Sequence, residues 1–155
     1  MEHLTAASSA TGRLTKIKAS IDDQGTIHAL DYDQIDDVGA YPRAPEPASL
    51  YRMHGNLSGA YKVKNIRCRN RVILTNKTPS GLNRGFGGPQ HYFALERLVH
   101  QIAVELKLNV LDVIKINLLE KNQFPYKSPS GALLDSGKFQ KLVKKLIESS
   151  TVSYT

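Results

Sequence analysis

The run Asn83-Arg84-Gly85-Phe86-Gly87-Gly88-Pro89-Gln90 leads straight into an amphipathic helical repeat, and it constrains this chain more than any other stretch. Gly85, Gly87 and Gly88 put three glycines within four positions. A backbone without Cβ atoms can approach a ligand closely and can adopt positive φ at no steric cost. Pro89 suits the first turn of a helix, where its missing N–H has no partner to lose. The loop therefore empties into a helix N-terminus, where N–H groups and the helix dipole favour an anion. The pattern reads as a site for a phosphorylated or otherwise anionic cofactor, with the ring of Phe86 at its centre. A tight strand-to-helix turn without a ligand satisfies the same composition. The glycine spacing is not G-x-G-x-x-G, and the Lys-Ser/Thr of a P-loop is missing, which excludes the standard dinucleotide and nucleoside-triphosphate sites.

The helix behind the loop is expected over about 89–107, because Leu95, Leu98, Val99, Ile102, Ala103 and Leu106 follow the i, i+3, i+4 rule. Asn109 reads as the N-cap of a short helix reaching about Asn117, with Asp112 in its first turn. A last helix is expected over about 137–148, capped by Asp135 or Ser136, with Phe139, Leu142, Val143, Leu146 and Ile147 inward. Upstream, residues 11–29 read as a β-hairpin turning at Asp22-Asp23-Gln24-Gly25. The acidic stretch that follows is less regular and extends the return strand, at most, to Tyr41. Tyr41-Pro42-Arg43-Ala44-Pro45-Glu46-Pro47 is an extended connector. Tyr61-Lys62-Val63-Lys64 reads as a short strand and Val72-Ile73-Leu74-Thr75-Asn76 as the best single strand. The apolar phase changes at Asn65, which marks a bulge or turn. Residues 123–131 are a Pro/Ser/Gly-rich loop. The expected fold is α+β: an antiparallel or mixed sheet packed by one long and two shorter helices. Residues 1–10 form a lead-in to a single domain over 1–155.

Composition sets the class. At 155 residues, 41% hydrophobic and 23% charged, the chain can build one ordinary core and is not disordered in character. No run reaches the length of a transmembrane helix, and the first residues carry no signal-peptide pattern, so a cytoplasmic protein is expected. The single Cys68 excludes an internal disulfide. It sits on the apolar phase of its strand and reads as a buried, inert thiol. The net charge of +7 reads as solvated faces: Lys138, Lys141, Lys144 and Lys145 off the apolar face of the last helix, and Arg67, Arg69 and Arg71 on the wet side of a strand. No helix combines basic and base-reading residues in a DNA-binding pattern.

Catalytic constellations are few. His91 and His100 stand nine apart, so no zinc-protease helix exists, and His91 reads as a packing or surface residue. Asp22, Asp23, Asp31, Asp33, Asp36 and Asp37 match no calcium loop and read as a solvated strand and turn edge. No serine lies in a G-x-S-x-G elbow.

Taken in order, Thr75-Asn76, Arg84-Gly85-Phe86-Gly87-Gly88-Pro89-Gln90, Glu96, Ile102-Ala103-Val104-Glu105-Leu106 and Leu111-Asp112-Val113-Ile114-Lys115-Ile116-Asn117 resemble the large, molybdenum-binding subunit of the molybdenum hydroxylases. That family includes xanthine dehydrogenase, aldehyde oxidase and the aerobic carbon monoxide dehydrogenase type. Asp23-Gln24-Gly25-Thr26-Ile27, Val38-Gly39-Ala40-Tyr41, Gly59-Ala60-Tyr61-Lys62-Val63-Lys64-Asn65-Ile66 and Ser136-Gly137-Lys138-Phe139 extend the likeness over nearly the whole chain.

The resemblance implies that Arg84, Gly85, Gly87 and Gly88 contact a molybdopterin-type cofactor and that Phe86 stacks on the substrate. The phenylalanine form of the loop resembles the xanthine/aldehyde type, which implies an aldehyde or aromatic heterocycle hydroxylated with oxygen from water. The family's second glycine-rich loop and its Gly-x-Gly-Glu base are not in this sequence, so no catalytic residue or metal ligand is assigned to this chain. The [2Fe–2S] and FAD centres would sit on partner subunits. The expectation is a fragment of a molybdenum domain, inactive alone, that works with the remaining large-subunit segments and with iron–sulfur and flavin subunits. The competing expectation is a non-catalytic basic module that binds a phosphorylated ligand or nucleic acid.

Overall fold

The computed structural model describes residues 10, 12–43, 54–81, 84–85 and 87–150. Two long strands, β1 (Gly12–Ile21) and β2 (Ile27–Asp37), form the expected hairpin. Its turn is held by Asp22, whose side chain accepts from the amides of Gln24 at 3.0 Å and Thr26 at 2.9 Å. The third strand, β3 (Asn65–Ile73), pairs with β2 in parallel, so β2 is central in a mixed three-stranded sheet of order β1-β2-β3. Helix α1 (Gly88–Leu106) packs on β1 and against α2 (Val110–Asn117). A two-stranded ribbon, β4 (Tyr126–Lys127) with β5 (Leu133–Leu134), precedes α3 (Phe139–Ser149). This is the expected α+β fold.

The core joins the sheet to the helices through the 57–63 segment. Leu30 and Tyr32 of β2 meet Leu57, Tyr61 and Val63, and these meet Leu95, Val99, Ile102 and Ala103 of α1 and Val113 of α2. Asn117 ties the hairpin to α2. Its side-chain oxygen accepts from the Ile27 amide at 2.8 Å, and its amide donates to Gly25 and Val113 carbonyls, each at 2.8 Å. The asparagine cap of α2 forms as expected, with the Leu111 amide donating to the Asn109 side chain at 2.8 Å.

Several local expectations are corrected. Tyr61 makes only an isolated bridge to Leu118, and the strand expected at 61–64 does not form. The phase change at Asn65 is the start of β3, and that strand ends at Ile73, short of Thr75 and Asn76. The acidic stretch after Leu30 is regular strand through Asp37. It is not merely a solvated edge, because Asp36 is buried. Asp31 and Asp33 instead pair across to Arg67 and Arg71 of β3 at 2.5 and 2.7 Å.

Helix α3 begins later than expected, after Lys138, and neither Asp135 nor Ser136 caps it. Leu142 and Leu146 do not point inward; they are 65% and 64% exposed. Phe139 and Val143 alone of the apolar set pack against the core. Cys68 is likewise exposed, not buried. It shares a row with buried Tyr32, but β3 is an edge strand and α1 packs over β1 at the opposite side of the sheet. Residues 1–9, the prolines of the connector beyond Arg43, and Leu82, Asn83 and Phe86 lie outside the described residues.

Candidate functional site

The site is built on the end of the sheet where β1 begins and β2 ends. Along β2, residues 30, 32, 34 and 36 share the inner face, and the chemistry of that face changes along it. Leu30 and Tyr32 are apolar core, whereas Gln34 and Asp36 are fully buried polar residues. Their neighbours in register on β1 are Thr15 and Arg13. Burying polar groups costs free energy unless they are hydrogen-bonded, so a polar end to a buried face must be organised.

Here it is organised around one ion pair. The Arg13 guanidinium donates to both carboxylate oxygens of Asp36, at 2.5 and 2.9 Å, and the two side chains are 1% and 0% exposed. Asn70 of β3 donates to the same carboxylate at 3.3 Å. A third Arg13 nitrogen, Nη1, points at the carbonyl of Gly87, 3.5 Å away. The buried pair thus reaches from all three strands to the glycine loop.

The loop has a defined backbone at the positions described. Gly85 and Gly87 hold φ of 82° and 85°, the left-handed region that side chains disfavour. The Gly88 amide donates to the Gly85 carbonyl at 2.8 Å, closing a tight turn. The His91 amide donates to the Gly87 carbonyl at 3.1 Å, which starts α1. Pro89 occupies the first turn, no side chain caps this end, and the first turn carries no acidic residue. Arg84 and Gly85 are exposed, whereas Gly87 and Gly88 are buried at the loop's base. A Cβ on Gly85 would lie 3.3 Å from the ring of Pro89. Phe86 lies outside the described residues, so the geometry here concerns Arg84, Gly85, Gly87 and Gly88.

Beneath the loop, His91 is fully buried and is a packing residue, as its position suggested. Its Nε2 lies 2.9 Å from the Leu57 carbonyl, which also accepts from the Tyr32 hydroxyl at 2.9 Å. A carbonyl only accepts, so Nε2 carries the proton and the neutral tautomer leaves Nδ1 bare. Burial lowers the His91 pKa below its ordinary value, and the nearby Arg13 charge lowers it further, against the opposing bond to Leu57.

The stretch that delivers the chain to the loop is clamped to the end of β2. Asp37 accepts from the Gly39 amide at 3.0 Å, the Thr75 hydroxyl at 2.6 Å and the Lys77 ammonium at 2.7 Å. Those donors hold its carboxyl down at about 2, Lys77 contributing most. Backbone bonds run alongside: Ala40 to Lys77, Thr75 to Gly39 and Ser80 to Val38. Arg13 and Lys77 were not singled out from sequence, and Asp36 and Asp37 were read there only as part of a solvated strand and turn edge. The only available signal was the alternation of Asp31, Asp33 and Asp37 with Tyr32, Gln34 and Asp36, which puts one carboxylate on the inner face.

Between β1 and α1 lies an open groove of about 510 Å³, lined by Arg13, Ile17, Gln90, Phe93, Arg97 and Leu98 among others. Phe93 is an exposed aromatic on this face. Among the described residues, no group of three or more His, Cys, Asp and Glu is arranged to hold a metal ion, and no helix is long and apolar enough to cross a membrane. The lysines of α3 are exposed, with Lys144 beside Glu148 at 3.8 Å.

Comparison with known proteins gives this geometry a context. A family model described as a molybdopterin cofactor-binding domain matches residues 1–118. The carbon monoxide dehydrogenase large chain of Hydrogenophaga pseudoflava is 28% identical over 131 residues, covering 81% of this chain and 16% of that one. Aldehyde oxidase 1 of Bos taurus is 34% identical over 116 residues, covering 74% of this chain and 8% of that one. The solved quinoline 2-oxidoreductase of Pseudomonas putida 86 superposes with a TM-score of 0.86 at 28% identity, over 95% of this chain and 19% of that one. The chain therefore spans under a fifth of these relatives, and it belongs to the molybdopterin cofactor-binding domain family.

Proposed function

We propose that this chain supplies part of the catalytic subunit of a molybdenum hydroxylase, in which Arg84, Gly85, Gly87 and Gly88 contact the cofactor and Phe86 faces the substrate. Membership of the molybdopterin-binding family and likeness to molybdenum oxidoreductases support the coarse reading. The observation that carries the finer one is the exposed Arg84–Gly85 backbone, with Gly85 at positive φ, standing on a buried polar base.

The residues present fit a pterin-borne group. Gly85 presents backbone without a Cβ, Arg84 adds an exposed cation, and the uncapped α1 terminus lacks carboxylates that would repel an anion. Gly87 and Gly88 let the chain fold tightly enough to bring Gly85 outward. When bound, the cofactor supplies the two-electron oxidation, with oxygen taken from water. The chain's own residues then bind and orient. Arg84 and Gly85 hold the cofactor's polar edge. Phe86 offers a flat apolar ring against which an aldehyde or aromatic heterocycle is positioned. Further segments of the large subunit, together with iron–sulfur and flavin centres, complete the electron path. The exposed faces of β3 and α3, with Val72, Ile73, Leu142 and Leu146, are where those segments would pack.

The test is reconstitution. The purified chain alone should hold no molybdopterin and oxidise no aldehyde. Produced together with the remaining large-subunit segments, it should do both, and Phe86→Ala should lower turnover far more than cofactor content. Full cofactor content and turnover in an assembly lacking this chain would end the proposal.

A further inference from the structure

The buried Arg13–Asp36 pair is placed to do more than fill the sheet. Arg13 is the second residue of β1 and Asp36 the last but one of β2, opposite one another in register. A guanidinium presents five donors in a rigid fork, so two can grip a carboxylate while a third reaches elsewhere. Two do grip Asp36, and Nη1 reaches the Gly87 carbonyl. That carbonyl also accepts the His91 amide that starts α1. The carbonyl of Gly87 is thus the point where the sheet, the glycine loop and the helix meet. Asn70 holds the carboxylate from the third strand, so the pair cannot swing without breaking a contact in β3. A lysine in place of Arg13 could neutralise Asp36 but would lack the fork to span to Gly87.

We infer that Arg13, oriented by Asp36, is a positioning residue that sets the glycine loop through the Gly87 carbonyl. The inference rests on reading Arg84, Gly85, Gly87 and Gly88 as cofactor-contacting. It adds that their placement is dictated by a side chain of β1, 74 positions earlier in sequence.

Amide hydrogen exchange on the full chain tests the anchoring without any cofactor, and molybdenum and pterin content of the reconstituted assembly tests its consequence. Arg13→Lys should speed exchange at Gly88 and His91 at least tenfold while Leu30 and Tyr32 stay as in the parent. The double variant Arg13→Met with Asp36→Leu leaves no lone buried charge, unlike Arg13→Met alone, so it should keep the fold while loosening the same two amides. Arg71→Ala, which breaks an exposed pair on β3, should leave them unchanged. In the assembly, Arg13→Lys should lower cofactor content or raise KM with kcat less affected. Unchanged exchange at Gly88 and His91 in both Arg13 variants would overturn the anchoring role. So would a rise spread equally over Leu30 and Tyr32, the mark of a pair that serves stability alone. Loosened loop amides with undiminished cofactor content and kinetics would uphold the anchor and count against the cofactor reading, which separates the two failures.

Discussion

Gly39→Ala is the substitution whose cost the structure sets most narrowly. Gly39 has φ of 76°, and a Cβ there would lie 2.5 Å from the Thr78 carbonyl oxygen and 2.7 Å from the Pro79 Cα. Both neighbours are backbone atoms with no rotamer to move. The left-handed conformation alone costs a non-glycine residue about 1–2 kcal/mol. Relieving the clash means peeling the 75–80 segment off the end of β2. That breaks the Ala40–Lys77, Thr75–Gly39 and Ser80–Val38 backbone bonds, each worth about 1 kcal/mol net. The sum is about 4–5 kcal/mol. Gly131→Ala is the matched control: φ is 104°, but nothing lies within 4 Å of its Cβ, so only the backbone term of about 1–2 kcal/mol applies. Urea unfolding measures both, with hydrogen exchange at Thr75, Ala40 and Ser80 locating the opening. The Gly39 variant should lose at least about 2 kcal/mol more than the control. Equal losses would refute the clamp.

Asn117→Ala leaves the Ile27 amide and the Gly25 carbonyl buried without partners; at about 1–3 kcal/mol each the urea midpoint should fall by a large fraction of total stability. Because His91 has a lowered pKa, the unfolded chain takes up its proton first as pH falls. Stability should therefore be full above the ordinary value of about 6.5 and decline below it, with a slope of at most about 1.4 kcal/mol per pH unit. His91→Phe should abolish that slope between pH about 6.5 and 5. Asp37, held at about 2 by Lys77, Thr75 and Gly39, contributes stability above the ordinary carboxylate value. That contribution is lost as pH falls from about 4 toward 2, and Asp37→Asn should flatten this part of the acid unfolding curve.

The features read correctly from sequence are those set by local rules. The hairpin turn at Asp22–Gly25, the helix behind Pro89 and the asparagine cap at Asn109 each depend on residues within a few positions of one another. The misread features depend on which neighbour covers a face. Ile66, Cys68 and Val72 keep a strand-like phase, yet Cys68 and Val72 are exposed because α1 packs over β1 at the other edge. Leu142 and Leu146 carry the helical period of a buried face but meet nothing among the described residues that covers them. At the site, the glycine run was legible because glycine and proline specify backbone directly. Its support was not. Arg13 and Asp36 look like any surface pair until register sets them opposite one another, and the contact of Arg13 with Gly87 spans 74 positions.

The most direct measurement is an experimental structure of the cofactor-loaded assembly containing this chain. The account predicts the Arg84–Gly85 backbone within hydrogen-bonding or van der Waals distance of the molybdopterin, and the ring of Phe86 facing the substrate cavity. A cofactor bound elsewhere, with residues 84–88 remote from it and Phe86 sealed into this chain's own interior, would contradict the account.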